Sequence, residues 1–217
     1  MPDDLAMRRF TLWDIQRVVA TETWVVLDVE TTGIPGQVIQ WAICAPDGSA
    51  LGSGYIRPTV PIKRDATKKH GLTTKKLREM PTFDQVAPLI YGLLQNKMVV
   101  GYNVEFDLGS LMGSCWAWLH DASSSVRPLH ELVWVTRRAC AMIWFAVIYG
   151  ERKSWSEYYT WKTLETACEY FHVPLVQAHN AISDAQATAQ LVQKMADLAK
   201  QELPPDFDFF AWEEARH

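Results

Sequence analysis

The chain has 217 residues, of which 48% are hydrophobic and 21% are charged, and its formal net charge is −4. This length favours one domain, and the composition is that of a globular protein, which excludes a disordered chain. An acidic protein does not attract nucleic acid with its overall charge, so any phosphate-binding charge must be local. The four cysteines are far apart and form no C-x-x-C pair, which argues against a zinc site or a disulfide framework.

The first part of the chain predicts one helix followed by three strands. Residues 1–22 mix polar and apolar positions and are expected to form a leading helix. The β-branched run over residues 24–30 predicts a strand, and residues 31–36 have the composition of a turn. Residues 38–44 and 51–56 predict two more strands, so the three strands should form an antiparallel meander.

The chain after Pro58 is predicted to be mainly helical, with residues 123–128 as a loop. Strands first, then helices alternating with a strand, indicate an α/β fold with one sheet that carries helices on its faces. The predicted helices cover residues 81–94, 105–119, 137–149, 161–171 and 182–200, and a short strand covers residues 98–101.

We expect a domain over residues 23–200, preceded by an extension (1–22) and followed by an acidic, aromatic tail (201–217). The amino terminus lacks the apolar run of a signal peptide, and the longest apolar run, residues 139–149, is too short to span a bilayer. A cytoplasmic protein without a membrane partner is therefore expected. The tail could dock on its own domain, on a second copy or on a protein partner, and the oligomeric state stays open.

Two carboxylates lie inside the first predicted strand. Because side chains alternate along a strand, Asp28 and Glu30 point to the same face, one pleat apart. Like charges at this spacing repel each other, so either the strand end reaches solvent or a cation balances the charge. Hard divalent cations prefer such clustered carboxylate oxygens.

Two further acidic positions stand at predicted helix starts. Asp107 falls one turn before Leu111 and so borders the core-facing side of its helix. His179 precedes the last long helix, and Asp184 lies in its first turns. An acid at a helix start is commonly there for the helix dipole alone. Together with Asp28 and Glu30, however, these residues indicate a two-metal site for phosphoryl transfer.

Three segments resemble the exonuclease motifs of the DEDDh (DnaQ-like) family, in the family's order. They are Leu27-Asp28-Val29-Glu30-Thr31-Thr32-Gly33, then Tyr102-Asn103 with Phe106-Asp107, and then His179, Ala181 and Asp184. The resemblance spans roughly residues 24–198. Within the family, this chain resembles the proofreading subunits of bacterial replicative polymerases. It implies an RNase H-like fold with a mixed central sheet for the domain over residues 23–200.

The resemblance implies a role for each motif residue. Asp28 would bridge two Mg²⁺ or Mn²⁺ ions, Glu30 and Asp184 would complete the site of the ion that activates water, and Asp107 would hold the second ion. His179 would be the general base. The remaining motif positions would contact the substrate: Thr31, Thr32 and Gly33 the terminal nucleotide, and Tyr102, Asn103 and Phe106 the pocket for the last base or sugar.

A basic segment follows Pro58 and supplies the local positive charge. It contains Lys68 and Lys69 beside His70-Gly71-Leu72-Thr73, which resembles the family's H-G-I-T element next to the 3′ nucleotide. A solvated, charged helix face would have the same composition. We expect Lys68, Lys69 and His70 to contact the substrate, because a basic patch there would let an acidic protein bind a polyanion.

Aromatic residues cluster after Gly150, at Trp155, Tyr158, Tyr159 and Trp161. They could stack on bases or cover the core. Packing is the expectation for Trp161, and both readings stay open for Tyr158 and Tyr159.

The function predicted from these observations is metal-dependent 3′→5′ exonuclease action on single-stranded or frayed DNA ends. Two alternatives remain: an exoribonuclease of the RNase T or oligoribonuclease type, and an inactive nucleic-acid-binding or polymerase-docking module. The inactive module should have lost a metal ligand, yet all four carboxylates and the histidine are present. The partner expected from the sequence is a DNA 3′ end.

Overall fold

The computed structural model describes residues 3–119, 124–153 and 158–215. Its centre is a mixed five-stranded sheet with the strand order β3-β2-β1-β4-β5. The strands are β1 (Trp24–Thr31), β2 (Val38–Cys44), β3 (Ala50–Tyr55), β4 (Met98–Gly101) and β5 (Arg138–Cys140). Strands β1, β2 and β3 pair antiparallel, as predicted, whereas β4 and β5 run parallel to β1.

Helices cover both faces of this sheet, so the prediction of an α/β fold with a mixed central sheet is confirmed. They are α1 (Asp4–Thr21), α2 (Arg64–His70), α3 (Phe83–Leu94), α4 (Val104–Trp118), α5 (Arg127–Val135), α6 (Ala141–Tyr149), α7 (Leu164–Phe171), α8 (Ala181–Glu202) and α9 (Phe209–Glu214). Within the described ranges, no helix is long and apolar enough to cross a membrane.

The alternation along β1 divides the core into two layers. Trp24 and Val26 face a layer formed with α1, α6 and α8. Val25, Leu27 and Val29 face the opposite layer, which α3, α4 and α5 cover. Both faces are buried, so the strand is apolar almost throughout, as expected for the centre of an α/β sheet.

The predicted elements between residues 119 and 171 were wrong in three places. The predicted helix over residues 137–149 begins only at Ala141, because Arg138–Cys140 pairs with β4 as an edge strand. The predicted helix over residues 161–171 begins at Leu164, where Thr163 caps it. Helix α5 was not predicted and starts at Arg127, inside the predicted loop; Ser123 lies outside the described residues.

Both ends of the chain pack onto the domain. Helix α1 buries Leu12, Ile15 and Val18 in the core layer that it shares with α8. Phe209 of the tail packs edge-on against Phe10, with ring centroids 5.1 Å apart. The tail therefore lies against the first helix of its own chain.

Candidate active site

The two acidic residues of β1 interrupt an otherwise buried strand. Asp28 and Glu30 are its only partly exposed positions. They continue the face that carries Trp24 and Val26, at the end of the strand where that layer opens into a cleft. The cleft has a volume of about 900 Å³, and both carboxylates line it. The strand periodicity thus places this pair as the sequence predicts.

Asp107 reaches the same cleft from the first turn of α4. Its side chain is 3% exposed, and its Oδ1 accepts a hydrogen bond from the Val29 backbone N–H at 3.1 Å. Gly101 makes room for it, because a Cβ at Gly101 would lie 3.0 Å from Asp107 Oδ2 and also 3.0 Å from Val104 Cα. A side chain at this position would push the carboxylate out of place.

Asp184 enters from the first turn of α8 and is 8% exposed. Its Oδ2 accepts a hydrogen bond from the His179 backbone N–H at 3.0 Å. Its Oδ1 is buried and has no hydrogen-bond partner among the described residues. A buried carboxylate oxygen without a partner is costly unless something else satisfies it.

His179 lies at the edge of the cleft with a left-handed backbone, at φ 59°. Its side chain is 46% exposed. One ring nitrogen of His179, one oxygen of Glu30 and one oxygen of Asp184 all lie within 4.8 Å of one another. These three side chains could therefore share a metal ion, or His179 could act on a molecule that the carboxylates help to hold.

Ionising all the carboxylates of the cleft at once is energetically unfavourable. Burial raises the pKa of Asp28 well above its ordinary range, and the neighbouring Asp107, Asp184 and Glu30 raise it further. Burial likewise raises the pKa of Glu30 to about 7, with Asp184 adding to the effect. The same desolvation raises the pKa of Asp107 to about 8 and that of Asp184 to about 7.

This donor set fits a divalent cation. The clustered oxygens are hard ligands, the bare Asp184 Oδ1 needs a partner, and the mutual repulsion of the carboxylates would be relieved by positive charge. No cysteine lines the cleft among the described residues. The site thus suits a hard ion such as Mg²⁺ or Mn²⁺ better than a soft one.

The turn after β1 is shaped by its own hydrogen bonds. Thr31 donates its hydroxyl to the Gly33 carbonyl at 3.0 Å, and the Thr32 hydroxyl accepts from the Gln37 backbone N–H at 2.9 Å. Gly33 has φ +146°, and a Cβ there would lie 2.4 Å from Lys63 Cδ. Thr31 and Gly33 line the cleft, whereas Thr32 is buried behind it.

His70 connects the basic segment to this turn. Its Nδ1 accepts a hydrogen bond from the Leu72 backbone N–H at 3.0 Å, so Nε2 carries the proton and donates to the Thr31 carbonyl at 3.2 Å. Burial lowers the pKa of the ring, which favours this neutral form. His70 lines the cleft, but both its nitrogens are used to hold the protein together.

The two predicted phosphate-binding lysines differ in position. Lys69 lines the cleft, and its charge lowers the pKa of Glu30. Lys68 is not among the lining residues and instead lies 3.4 Å from Asp65 Oδ1. Lys63, the first residue of the same basic segment, also lines the cleft and donates to the Ile34 carbonyl at 3.0 Å.

The second motif also contributes to the lining of the cleft. Asn103 and Phe106 line the cleft. Tyr102 lines it too, but its ring is 8% exposed and its hydroxyl lies 3.0 Å from the Lys162 carbonyl oxygen and 2.8 Å from that of Thr163. Tyr102 therefore fixes the backbone of the segment before α7.

That segment corrects the expectation for Trp161, which is 67% exposed and lines the cleft instead of packing in the core. Tyr158 is 83% exposed, whereas Tyr159 donates its hydroxyl to Asp4 Oδ1 at 2.7 Å. Trp155 lies outside the described residues.

The sequence reasoning missed Glu165, which lines the cleft, and Gln40, which is buried beside it. Gln40 is 5% exposed in β2, directly opposite Glu30, and its Oε1 accepts from the Ala181 backbone N–H at 3.4 Å. Gln40 could have been found from the sequence, because it is an amide side chain inside an otherwise apolar strand. Glu165 Oε1 lies 3.9 Å from His179 Nε2, and nothing in its helical context distinguished it.

Comparison with known proteins gives a family match. The family model described as Exonuclease (RNase T) matches residues 25–192. The chain is 27% identical over 189 residues to "DNA polymerase III PolC-type" of Bacillus cereus, a match that covers 84% of this chain and 12% of the relative. The chain therefore spans about an eighth of the length of that relative. It is also 26% identical to an uncharacterised exonuclease of Escherichia phage 186, covering 79% of this chain and 87% of the phage protein.

Solved structures support the fold. The zinc-bound complex of Escherichia coli ExoI with single-stranded DNA superposes with a TM-score of 0.63 at 19% identity, covering 89% of this chain and 43% of that one. The Mg²⁺- and Mn²⁺-bound form of Schizosaccharomyces pombe Pop2p gives a TM-score of 0.60 at 13% identity, covering 93% and 92%. The exonuclease-type, RNase H-like fold predicted from the motifs is thus confirmed.

Proposed function

The chain belongs to the exonuclease family, and we propose that it is a metal-dependent 3′→5′ exonuclease that removes nucleoside monophosphates from DNA ends. One observation carries the proposal: Asp28, Glu30, Asp107 and Asp184 come from three separate elements and line one cleft, which His179 also borders. A module that only binds nucleic acid has no use for four carboxylates that repel both each other and the phosphates.

The four carboxylates would hold two Mg²⁺ or Mn²⁺ ions. The other three acids all raise the pKa of Asp28, so a bound cation would relieve the repulsion between Asp28 and each of them. Asp184 Oδ1, buried and without a partner, would gain one. When bound, such ions would make water a better nucleophile at neutral pH and balance the charge on the leaving oxygen.

His179 would accept the proton of the attacking water. Its exposed ring lies at the cleft edge, and its backbone N–H is bonded to Asp184, which fixes the residue beside the carboxylates. An imidazole can be neutral near physiological pH, as a general base must be. The water oxygen would bond to phosphorus, the bond from phosphorus to the 3′ oxygen of the preceding nucleotide would break, and that oxygen would take up a proton.

The walls of the cleft would place the end of the strand. Lys63 and Lys69 bring positive charge to one side, so phosphates can enter a site whose floor is acidic. Asn103 and Phe106 line the same cleft and would meet the terminal sugar or base. DNA is proposed over RNA because the relatives named above are a DNA polymerase and a nuclease complexed with single-stranded DNA.

A cleavage assay with three matched substrates tests the proposal. Single-stranded DNA, duplex DNA and RNA of one sequence, each labelled at the 5′ end, are incubated with Mg²⁺, Mn²⁺, Ca²⁺ or EDTA. We expect a ladder that shortens from the 3′ end in Mg²⁺ or Mn²⁺, poor turnover in Ca²⁺ because its looser geometry misplaces the water, and none in EDTA. Cleavage that survives extensive chelation contradicts the metal mechanism, and faster loss of RNA than of DNA favours the exoribonuclease alternative.

A further inference from the structure

The rim of the cleft before α7 presents a large aromatic side chain to solvent. Trp161 is 67% exposed and lines the same cleft as the carboxylates. A single exposed tryptophan is not unusual in a folded protein and by itself indicates nothing. Trp161 differs from other exposed tryptophans in two ways: it lies at the mouth of the proposed active site, and its backbone is held on both sides.

The backbone on the carboxyl side of Trp161 is fixed. The Tyr102 hydroxyl shares its hydrogen bond between the carbonyl oxygens of Lys162 and Thr163, at 3.0 and 2.8 Å. Thr163 then caps α7 through a hydrogen bond from the Thr166 N–H at 3.3 Å. The backbone that follows Trp161 is therefore held by the buried Tyr102 side chain and by the start of α7.

The backbone on the amino side is fixed as well. The Thr160 N–H donates to the Glu151 carbonyl at 2.8 Å, and the Lys162 ammonium group donates to the Glu151 carboxylate at 2.6 Å. The Lys162 ammonium also lies 4.6 Å from the centre of the Tyr149 ring. The backbone on both sides of the Trp161 indole is therefore fixed, so little backbone entropy would be lost when a ligand packs against the ring.

The surroundings identify the chemistry of such a ligand. Lys63 and Lys69 line the same cleft and attract phosphates, and Ile34, which is 73% exposed, adds a second apolar surface to its lining. A ligand that carries both flat apolar faces and phosphates is a nucleic acid with unpaired bases. Inside a duplex both faces of each base are stacked on neighbouring pairs, so both faces become accessible only where the bases are unpaired.

We infer that Trp161 is a specificity-determining residue that stacks on an unpaired base near the 3′ end of single-stranded DNA. This inference rests on the proposed function, since it concerns the substrate of the same site. Stacking of a base on an aromatic side chain contributes about 1–3 kcal/mol, which corresponds to about 5–150-fold in affinity. Every base has such a face, so the contact selects for unpaired ends without selecting a sequence.

A double-mutant cycle between protein and DNA tests this contact. Binding of labelled single-stranded DNA is measured in Ca²⁺ for the wild type, Trp161→Ala and Trp161→Phe, with oligonucleotides that lack the base at one of the last three positions. Trp134→Ala is the matched control, because Trp134 is 64% exposed and lies on α5, outside the lining of the cleft. Thermal melts check that each variant folds.

We expect Trp161→Ala to weaken binding of the complete strand by about 5–150-fold. The loss should disappear for the oligonucleotide that lacks the stacked base, whereas Trp161→Phe should retain most of the affinity and Trp134→Ala all of it. Equal losses on every oligonucleotide, or no loss at all, overturn the inference. If the wild type shortens DNA but shows no such coupling, the inference alone fails; if it neither binds nor shortens DNA, the proposed function fails with it.

Discussion

The floor and the rim of the cleft carry opposite charges. The floor consists of carboxylates carried by β1, α4 and α8, whose burial and mutual repulsion raise their pKa values. The rim consists of exposed cationic and apolar side chains, Lys63, Lys69, Ile34 and Trp161. The floor is stabilised by added positive charge. The lysines of the rim favour a ligand that carries negative charge, and its apolar side chains favour one with exposed apolar faces. We therefore expect changes in the floor to alter kcat and changes in the rim to alter KM.

The largest effect is expected from the floor. Asp28→Ala and Asp107→Ala should each reduce turnover by more than the 10²–10⁴ that loss of a positioned base typically costs. Both variants should remain folded, because the relief of carboxylate repulsion offsets what is lost, including the hydrogen bond that Asp107→Ala removes from the Val29 N–H. Gel assays and thermal melts on each variant measure the two effects. Wild-type turnover by Asp28→Ala would mean that the site has been assigned wrongly.

His179 stands between floor and rim and should have the next largest effect. If it is the general base, His179→Ala should lose about 10²–10⁴ in rate while still binding metal and DNA. The acid side of the pH–rate profile should change shape, because the proposed proton acceptor has been removed. Calorimetry with Mn²⁺ and a pH series on both proteins measure this. Loss of metal affinity with an unchanged pH profile would make His179 a ligand instead.

The repulsion in the floor also predicts how the metal-free protein responds to pH. The pKa values of Glu30 and Asp107 are raised in the folded state to about 7 and about 8, so the folded state binds more protons than the unfolded state. These groups add to the free energy of unfolding. Their contribution is fully present when the pH is below the pKa of a carboxyl group in the unfolded chain, and it is lost as the pH rises through the folded-state pKa values of about 7 to about 8. In EDTA the wild type should therefore lose stability between pH 5.5 and pH 8.5.

Replacing one of these acids should reduce that loss. Asp107→Asn keeps an oxygen to accept from the Val29 N–H and removes the ionisation, so at pH 8.5 it should be more stable than the wild type by at least about 1 kcal/mol. Urea unfolding at both pH values measures this, with the exposed Asp206→Asn as the control. A wild type and an Asp107→Asn variant with the same pH dependence would show that Asp107 ionises freely in the folded protein.

The same contrast explains which parts of the site could be predicted. Asp28 and Glu30 follow from the two-residue period of a strand, and Asp107 and Asp184 from their place in the first turn of a helix; both are local properties of the sequence. The exposure of Trp161 depends on the Tyr102 hydroxyl, which is distant in sequence. The edge strand β5 was missed for a similar reason, since pairing with β4 overrides the helical pattern from residue 138.

The smallest effect is expected at the rim, where two neighbouring lysines provide a matched pair. Both were predicted to contact phosphates, yet only Lys69 lines the cleft, whereas Lys68 lies beside Asp65. Each phosphate contact to a single strand adds about 0.7 to the slope of log affinity against log salt concentration, because a condensed counterion is released. Lys69→Ala should therefore lower this slope by about 0.7, so that between 50 and 200 mM salt it loses roughly threefold less affinity than the wild type.

Lys68→Ala should keep the wild-type slope, since Lys68 does not line the cleft and its charge is balanced by Asp65, 3.4 Å away. Binding of single-stranded DNA at four salt concentrations and a fixed level of Ca²⁺ measures all three proteins under the same conditions. Equal reductions in both variants would show that the basic segment attracts DNA through its diffuse charge and not through one contact. Unchanged slopes in both would make the segment a solvated helix face, and the phosphates would then have to be held by Lys63 or by the metal ions alone.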